Sequence, residues 1–334
     1  MSTTIKDVAA HCGIDPATVE RALGPQKGDL DAETLARVLD SVVALGYTTA
    51  GRSRTLGILY ADESGRGLTH PFFVLILNAF KQEAEARGYD VLFIQPDIKG
   101  EGDYLAHCRG RRVDGICMVC VDFRAPQIKQ LKDGDIPCVT IDHIFKGIPA
   151  ILSDNETGVQ KLVEYAISKG HRRIAFIHGH NNSIVTRTRI SQFMNTMAYH
   201  GLPVPPEYLC EGRYDDIPLT RERVMELLRL PQRPTCILLP DDMSYLGAQD
   251  AAREMLLRVP EDISFAGYDG IPMTQALTPK LTSIRQNSEM MGQEAARRLI
   301  DLVENPSTAS RKPVVFSIDL MEGGTIADLT RASL

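Results

Sequence analysis

IDPATVERALG, residues 14–24, decides how the first part of this chain is read. Asp15 suits a helix N-cap and Pro16 a first helical turn. Val19, Ala22 and Leu23 then fall on one face at helical spacing. Pro16, Ala17, Glu20 and Arg21 share the opposite face. The pattern predicts a short amphipathic helix with a free outer side. Upstream, Thr4 with Asp7 three residues on resembles a capping box, and Ile5, Val8, Ala9 and Cys12 form a stripe that Gly13 ends. Downstream, a helix is expected from Asp31 to Leu45, with stripe residues Leu35, Val38, Leu39 and Val42, stopped at Gly46. Residues 1–47 therefore read as a three-helix unit.

TTAGRSR (48–54) reads as a linker. Beyond it, short apolar strands alternate with amphipathic helices: TLGILYAD, FFVLILNAFKQEAEARGY, DVLFIQP, DGICMVCVD, IPCVTIDH, and then RRIAFIHGH, TCILLPDD and ISFAGYD. Such alternation means α/β architecture, with parallel sheets covered on both faces. The two runs, about 55–150 and 155–280, predict two similar lobes.

The chain has 334 residues, 43% hydrophobic and 24% charged, enough for more than one core. No apolar run approaches the ~20 residues needed to span a bilayer. The polar start, MSTTIKD, lacks a signal-peptide pattern, which predicts a cytoplasmic protein. Seven scattered cysteines fit a reducing compartment; Cys117 and Cys120, if both lie on a strand, point to opposite faces as small buried residues. The net charge of −6 gives no general affinity for nucleic acid, so any DNA site must be local. Through Arg54, six cations face seven carboxylates, a weak electrostatic footprint.

No phosphate-binding loop, nucleophile elbow or metal-ligand spacing appears, so neither an enzyme, nor a cofactor, nor a metal site is expected. Polar residues do recur at strand ends: Asp62, Asp122, Asp142, His143, His178, His180, Asp241, Asp242 and Asp269. Each could be a loop cap, but ligands of open parallel sheets bind outside the carboxyl ends of strands, and the recurrence predicts a polar ligand cleft.

TIKDVAAHCGIDPATVERALG…LDAETLARVLDSVVALGY resembles the DNA-binding headpiece of the lactose/galactose-repressor family. HPFF, SDNETG, GHRRIAFIHG, PDDMSYLGA, VPEDISFAGYDG, PKLTSIRQNSEMMGQEA and MEGGT extend the resemblance, in order, over essentially the whole chain. It implies a helix-turn-helix headpiece and a two-lobed core like periplasmic sugar-binding proteins. It implies also a homodimeric transcription repressor that a small effector relieves or engages. Expected bounds are 1–47 for the headpiece, 48–54 for the linker and 55–330 for the core. Lobe 1 would take about 55–153 and 284–310, and lobe 2 about 154–283 and 311–326. The alternative is a cytoplasmic solute-binding receptor without DNA binding.

The resemblance makes Pro16 to Leu23 the recognition helix. Chemically, Arg21 suits guanine O6 and N7, Ala17 a thymine methyl, and Thr18 with the helix N-terminus suits phosphates. Thr4 and Pro16 complete the DNA-facing set on the headpiece. Two features depart from the family. Glu20 stands where a small hydroxyl residue is usual; its carboxylate repels the backbone unless cytosine N4 donates to it, so it is expected to narrow base preference without adding affinity. The linker is short and lacks the hinge leucine, so Arg52 and Arg54 are expected on phosphates or a narrow minor groove, and a dimer on a pseudo-palindromic operator is expected.

For the effector, the resemblance carries over Phe72 and Phe73 as cleft aromatics, Arg189 as the cleft arginine, Tyr214 as a stacking face, Asp269 at a late strand end and Gln286 at the crossing between lobes, with Asp241 standing where the family usually has Asn or a small residue. With Asp122 and Asp142 these suit a polyhydroxyl ring, hydrogen-bonded at its edge and stacked on its face. A sugar or sugar derivative is the first choice; a nucleobase also fits Tyr214 and Arg189, and a phosphosugar fits the arginine but not the carboxylates.

Overall fold

The computed structural model describes residues 4–23, 30–45, 53–60, 68–94 and 103–330, and divides into two compact units, 1–54 and 55–334. Arg52, Asp62 and most of the linker lie outside the described residues.

In the first unit, α1 (Ile5–Cys12), α2 (Pro16–Leu23) and α3 (Ala32–Leu45) follow the predicted order. Thr4 and Asp7 complete a reciprocal capping box: the Asp7 amide donates to Thr4 Oγ1, and the Thr4 amide donates to the Asp7 carboxylate at 2.7 Å. Gly13 ends α1 at φ +65°, the left-handed region that suits glycine. Asp15 and Asp31 accept from the amides of Thr18 (2.9 Å) and Thr34 (2.7 Å), starting the other two helices. Val8, Ala9, Cys12, Val19, Ala22 and Val38 form the shared core. Arg37 donates to the Cys12 carbonyl at 2.7 Å, supplying a partner to an end carbonyl of α1. Leu39, expected in the buried stripe, is exposed. The stripe of α3 is narrower than its sequence suggests because Val38, Leu35 and Val42 already cover the two shorter helices.

The second unit contains two six-stranded sheets. The first joins β1 (Thr55–Tyr60), β2 (Asp90–Ile94), β3 (Gly115–Val119), β4 (Cys138–Ile141), β5 (Ala150–Ser153) and β11 (Val314–Phe316), in the order β11-β5-β4-β3-β1-β2, all parallel. The second joins β6 (Ile174–His178), β7 (Leu209–Glu211), β8 (Cys236–Leu238), β9 (Ser264–Asp269), β10 (Thr282–Arg285) and β12 (Asp319–Met321), in the order β12-β10-β9-β8-β6-β7. Only its edge pair, β10 with β12, is antiparallel. Every residue of β3, β4, β6 and β9 is buried, as expected for parallel strands with helices on both faces.

The connecting helices are α4 (Pro71–Ala86), α5 (Tyr104–Gly110), α6 (Pro126–Lys132), α7 (Asn155–Ser168), α8 (Ile184–Tyr199), α9 (Ile217–Leu228), α10 (Ser244–Glu254), α11 (Pro272–Gln275) and α12 (Ser288–Glu304). The chain passes between the sheets three times: from β5 into α7, from β10 into α12, and from β11 into β12. Met291, Ala295, Ala296, Leu299 and Ile300 of α12 return to the first sheet and pack with Ile76, Leu77 and Phe80 of α4. The expected lobe bounds shift at two places: residues 284–285, assigned to the first lobe, belong to β10 and pair with β9 in the second sheet. Residues 314–316, expected in the second lobe, pair with β5, because Val314 and Phe316 complete the apolar cover of the first sheet before the chain crosses. A further correction concerns Cys120. It lies one residue past the end of β3 at φ 51°, so it packs against the same apolar cluster as Cys117 and not on the opposite face. The cysteines carry no disulfide.

Candidate functional site

The headpiece presents one polar face. Val19 and Ala22 are buried, whereas Pro16, Ala17, Glu20 and Arg21 are exposed and Thr18 is half-buried. Arg21 Nη2 donates to Thr18 Oγ1 at 3.1 Å, so the guanidinium leans along the helix toward its N-terminus. The Thr18 amide is already held by Asp15, whose carboxyl is kept below its usual range by its bonds with Thr18. A phosphate at this helix start must therefore share its donors with Asp15. Thr4 is exposed but committed, its hydroxyl and amide both donating to Asp7. Arg54 is exposed at φ 54°.

In the two-lobed unit the predicted polar residues separate into a cluster and a set of structural ties. The cluster centres on Arg189 of α8, 5% exposed. Its Nε donates to Asn155 Oδ1 at 2.7 Å and its Nη1 to the Pro240 carbonyl at 3.2 Å. Its guanidinium lies over the Tyr268 ring at 3.6 Å from the centroid and faces Tyr214 at 5.8 Å. Burial opposes the charge of Arg189, but Tyr214, Tyr268, Asp269 and Asp142 together outweigh it and raise its pKa. The arginine therefore stays cationic.

Two carboxylates face this cation. Asp142 follows β4 in the first lobe, and burial pushes its pKa up to about 6 against the pull of Arg189. Asp269 ends β9 in the second lobe; burial raises it well above the carboxylate range, and Arg189 only partly offsets this. Both sit at positive φ, 57° and 112°, conformations that cost about 1–3 kcal/mol for a non-glycine residue and recur where side-chain aim matters. Gln286, at the second crossing, donates to Asp269 Oδ1 at 2.7 Å. Among the described residues, Asp142 Oδ1, Gln286 Oε1 and the Tyr268 hydroxyl are buried without a hydrogen-bond partner. Three such atoms around one cation mark a place where hydroxyl or amine groups would be held.

Glycine shapes the aromatic walls. A Cβ on Gly179 would enter the Tyr214 ring, and one on Gly158 would meet the Tyr268 hydroxyl. The Tyr214 hydroxyl is fixed by Thr186 at 2.9 Å. In the first lobe, His143 stacks on Phe123 at 4.0 Å, nearly parallel, with Phe145 edge-on. Burial first, then Arg187 of α8, lowers the His143 pKa, so this flat apolar platform is near a cation of the other lobe.

The other candidate residues have partners of their own within the fold. Phe72 is 3% exposed within the apolar cluster under the first sheet, because α4 turns that side inward; Phe73 instead meets Tyr60 and His70. Asp122 is exposed and paired with Arg124 in its own loop at 3.1 Å. Asp241 accepts from the amides of Asp215 (2.6 Å) and Ser244 (2.8 Å), tying loops together. Asp242 accepts from the Ile271 amide and from the hydroxyls of Thr274 and Ser283, and burial pushes its pKa up to about 7. His178 and His180 are likewise held locally, by the Gly179 carbonyl and Glu211. Asn155, Tyr268, Phe123 and Phe145 were missed, and His143 was expected as a polar strand-end residue and not as a stacking ring. Asn155 stands within SDNETG, where nothing in the residues themselves marks it as a partner of Arg189, and no motif distinguishes Tyr268 from an ordinary strand aromatic.

A helix-turn-helix unit joined to two parallel-sheet lobes, with an arginine and two carboxylates where the lobes face each other, defines a ligand-responsive DNA-binding regulator. Comparisons with known proteins agree. Residues 163–326 match the periplasmic binding protein-like domain family. The chain is 30% identical to the HTH-type transcriptional repressor PurR of Erwinia tasmaniensis over 335 residues, covering 97% of each. A regulatory protein of the LacI family from Chloroflexus aggregans superposes with a TM-score of 0.73 at 26% identity, over 82% of this chain and 99% of that one. A complex of the transcriptional regulator CelR with cellobiose gives a TM-score of 0.73 at 23% identity, over 97% and 99%. The chain belongs to the LacI family of helix-turn-helix transcriptional repressors. It is a DNA-binding transcriptional regulator.

Proposed function

We propose that the chain is a cytoplasmic repressor that binds a pseudo-palindromic operator as a homodimer and is controlled by a neutral sugar or sugar derivative held between its lobes. It has no enzymatic role in this reading. The observation that carries the effector class is the buried Arg189, faced by Tyr268 and set near Asp142 and Asp269. A ring hydroxyl can donate to a carboxylate and accept from the remaining guanidinium donors, while its apolar face meets an aromatic wall. A phosphate or carboxylate would add charge beside two carboxyl groups. A nucleobase stacked on Tyr214 is the second reading, favoured by the PurR name of the 30% identical relative. The cellobiose carried by the CelR relative favours the sugar.

Thr4, Pro16, Ala17, Thr18 and Arg21 form the proposed operator face of the headpiece, with Arg52 and Arg54 on the backbone. Effector binding acts only through a difference in affinity between two lobe arrangements. Changed lobe angles would change headpiece spacing, and with a short linker the tether itself would transmit the change. The test pairs a thermal-shift series using cellobiose, ribose, glucose, galactose, glucuronate and hypoxanthine with operator titration. The reading expects a neutral sugar to raise Tm and to change operator affinity. A rise with hypoxanthine or glucuronate alone would overturn the neutral-sugar assignment, and no binding to any selected duplex would overturn the regulator.

A further inference from the structure

We propose that Glu20 is a second base reader, independent of Arg21, that selects cytosine through its exocyclic amine. The inference rests on the operator-binding role of α2. On the helical wheel Glu20 lies about 60° to one side of Ala17, and Arg21 about 40° to the other. Both are exposed, as is Ala17 between them. Ala17 and Pro16 carry no long side chain, so the face between the two charges is low and lets even a two-methylene carboxylate approach base edges.

The two charges do not neutralise each other. Arg21 Nη2 is held by Thr18 Oγ1 at 3.1 Å, on the side away from Glu20. Among the described residues nothing donates to the Glu20 carboxylate, and its neighbours three and four positions away on α2 are Pro16, Ala17 and Leu23, none of them a cation. Nor does Glu20 serve the fold: Asp7, Asp15 and Asp31 provide the caps of this unit. A free carboxylate brought against a duplex must either meet repulsion from phosphates or find a donor. In the major groove the amines of cytosine and adenine are the donors, and adenine sets its N7 lone pair beside the amine, where a carboxylate is repelled. Cytosine is the base that remains. Guanine for Arg21 and cytosine for Glu20 are then read at different positions of each half-site.

The experiment selects bound duplexes from a random library with the full chain and with its Glu20→Gln and Glu20→Ala variants. The parent is expected to enrich guanine at one half-site position and cytosine at another. In Glu20→Ala the cytosine preference falls from roughly tenfold to none; in Glu20→Gln it shifts toward adenine, which a carboxamide reads, and both variants keep the guanine preference. An unchanged base profile overturns the proposal. So does a loss confined to the guanine position, which would mean that Glu20 acts through Arg21. If the parent enriches no sequence although it binds duplex, the base-reading role of Glu20 falls and the DNA-binding class stands; if it binds no duplex, both fall.

Discussion

Asn155 accepts from Arg189 Nε at 2.7 Å while its own amide donates to the Ser153 carbonyl at 3.1 Å. The arginine of the inter-lobe site is thereby tied to the first crossing between lobes. Gln286 repeats the arrangement at the second crossing by holding Asp269. A ligand that drew on either charged group would therefore act directly on a segment that crosses between the lobes. Replacing Asn155 by Ala leaves a buried guanidinium without one partner, at a cost of about 1.5–3 kcal/mol. The expected outcome is a lower Tm and a sugar-induced Tm rise at least several-fold weaker in concentration dependence. A variant with unchanged response would show that the tie is idle.

Asp142 gives a pH signature. Its pKa is near 6 in the fold and near 3.8 when unfolded, so the native state holds the extra proton between those values. Stability contributed by this group is complete below pH 3.8 and is lost as pH rises to about 6. Asp142→Asn, which also suits the left-handed φ better, should flatten the fall of denaturation midpoint between pH 4 and 6 and raise stability at pH 7. A parallel pH profile in the variant would contradict the assignment.

Asp242, which follows β8, joins the start of α11 and β10 through three accepted hydrogen bonds. Asp242→Ala should cost about 2–4 kcal/mol, since a buried amide and two hydroxyls lose a shared acceptor. Urea unfolding measures it. A loss under 1 kcal/mol would mean that water replaces the carboxylate.

Gly179→Ala places a methyl group in the Tyr214 ring. The ring must swing out, and the expected result is a folded protein that binds operator as before but no longer gains Tm from sugar. Operator titration checks the first part and calorimetry of the sugar titration the second.

The Thr4–Asp7 capping box is worth about 1 kcal/mol to the headpiece. Thr4→Ala should therefore weaken operator affinity more at 40 °C than at 15 °C, as α1 frays. Equal losses at both temperatures would mean that the capping box adds nothing measurable and that the proposed DNA contact of Thr4 accounts for the whole loss.

The headpiece was legible because its signals are local. Caps, a terminating glycine and three-to-four spacing are written within a few residues of where they act, and α1 and α2 match them closely. The long buried strands were legible from composition. The edge strands β7, β11 and β12 were not, since three residues without full burial carry little apolar signal; β8 is as short but wholly buried. At the site, the family resemblance pointed to Arg189 and Asp269, but residue type at strand ends could not separate Asp142, which lacks a partner on Oδ1, from Asp241 and Asp242, whose oxygens are spent on neighbouring amides and hydroxyls. That distinction depends on contacts made between distant segments.

The path of α12 has a consequence for biosynthesis. The apolar bed under the first sheet receives Met291, Ala295, Leu299 and Ile300 only after the whole second sheet except its edge strand has left the ribosome. Until then the side of α4 that α12 covers, around Ile76 and Phe80, would lack that cover, and a holdase chaperone would find apolar surface there. A stalled nascent chain ending before residue 288 should accordingly be captured by such a chaperone and be protease-sensitive in both lobes.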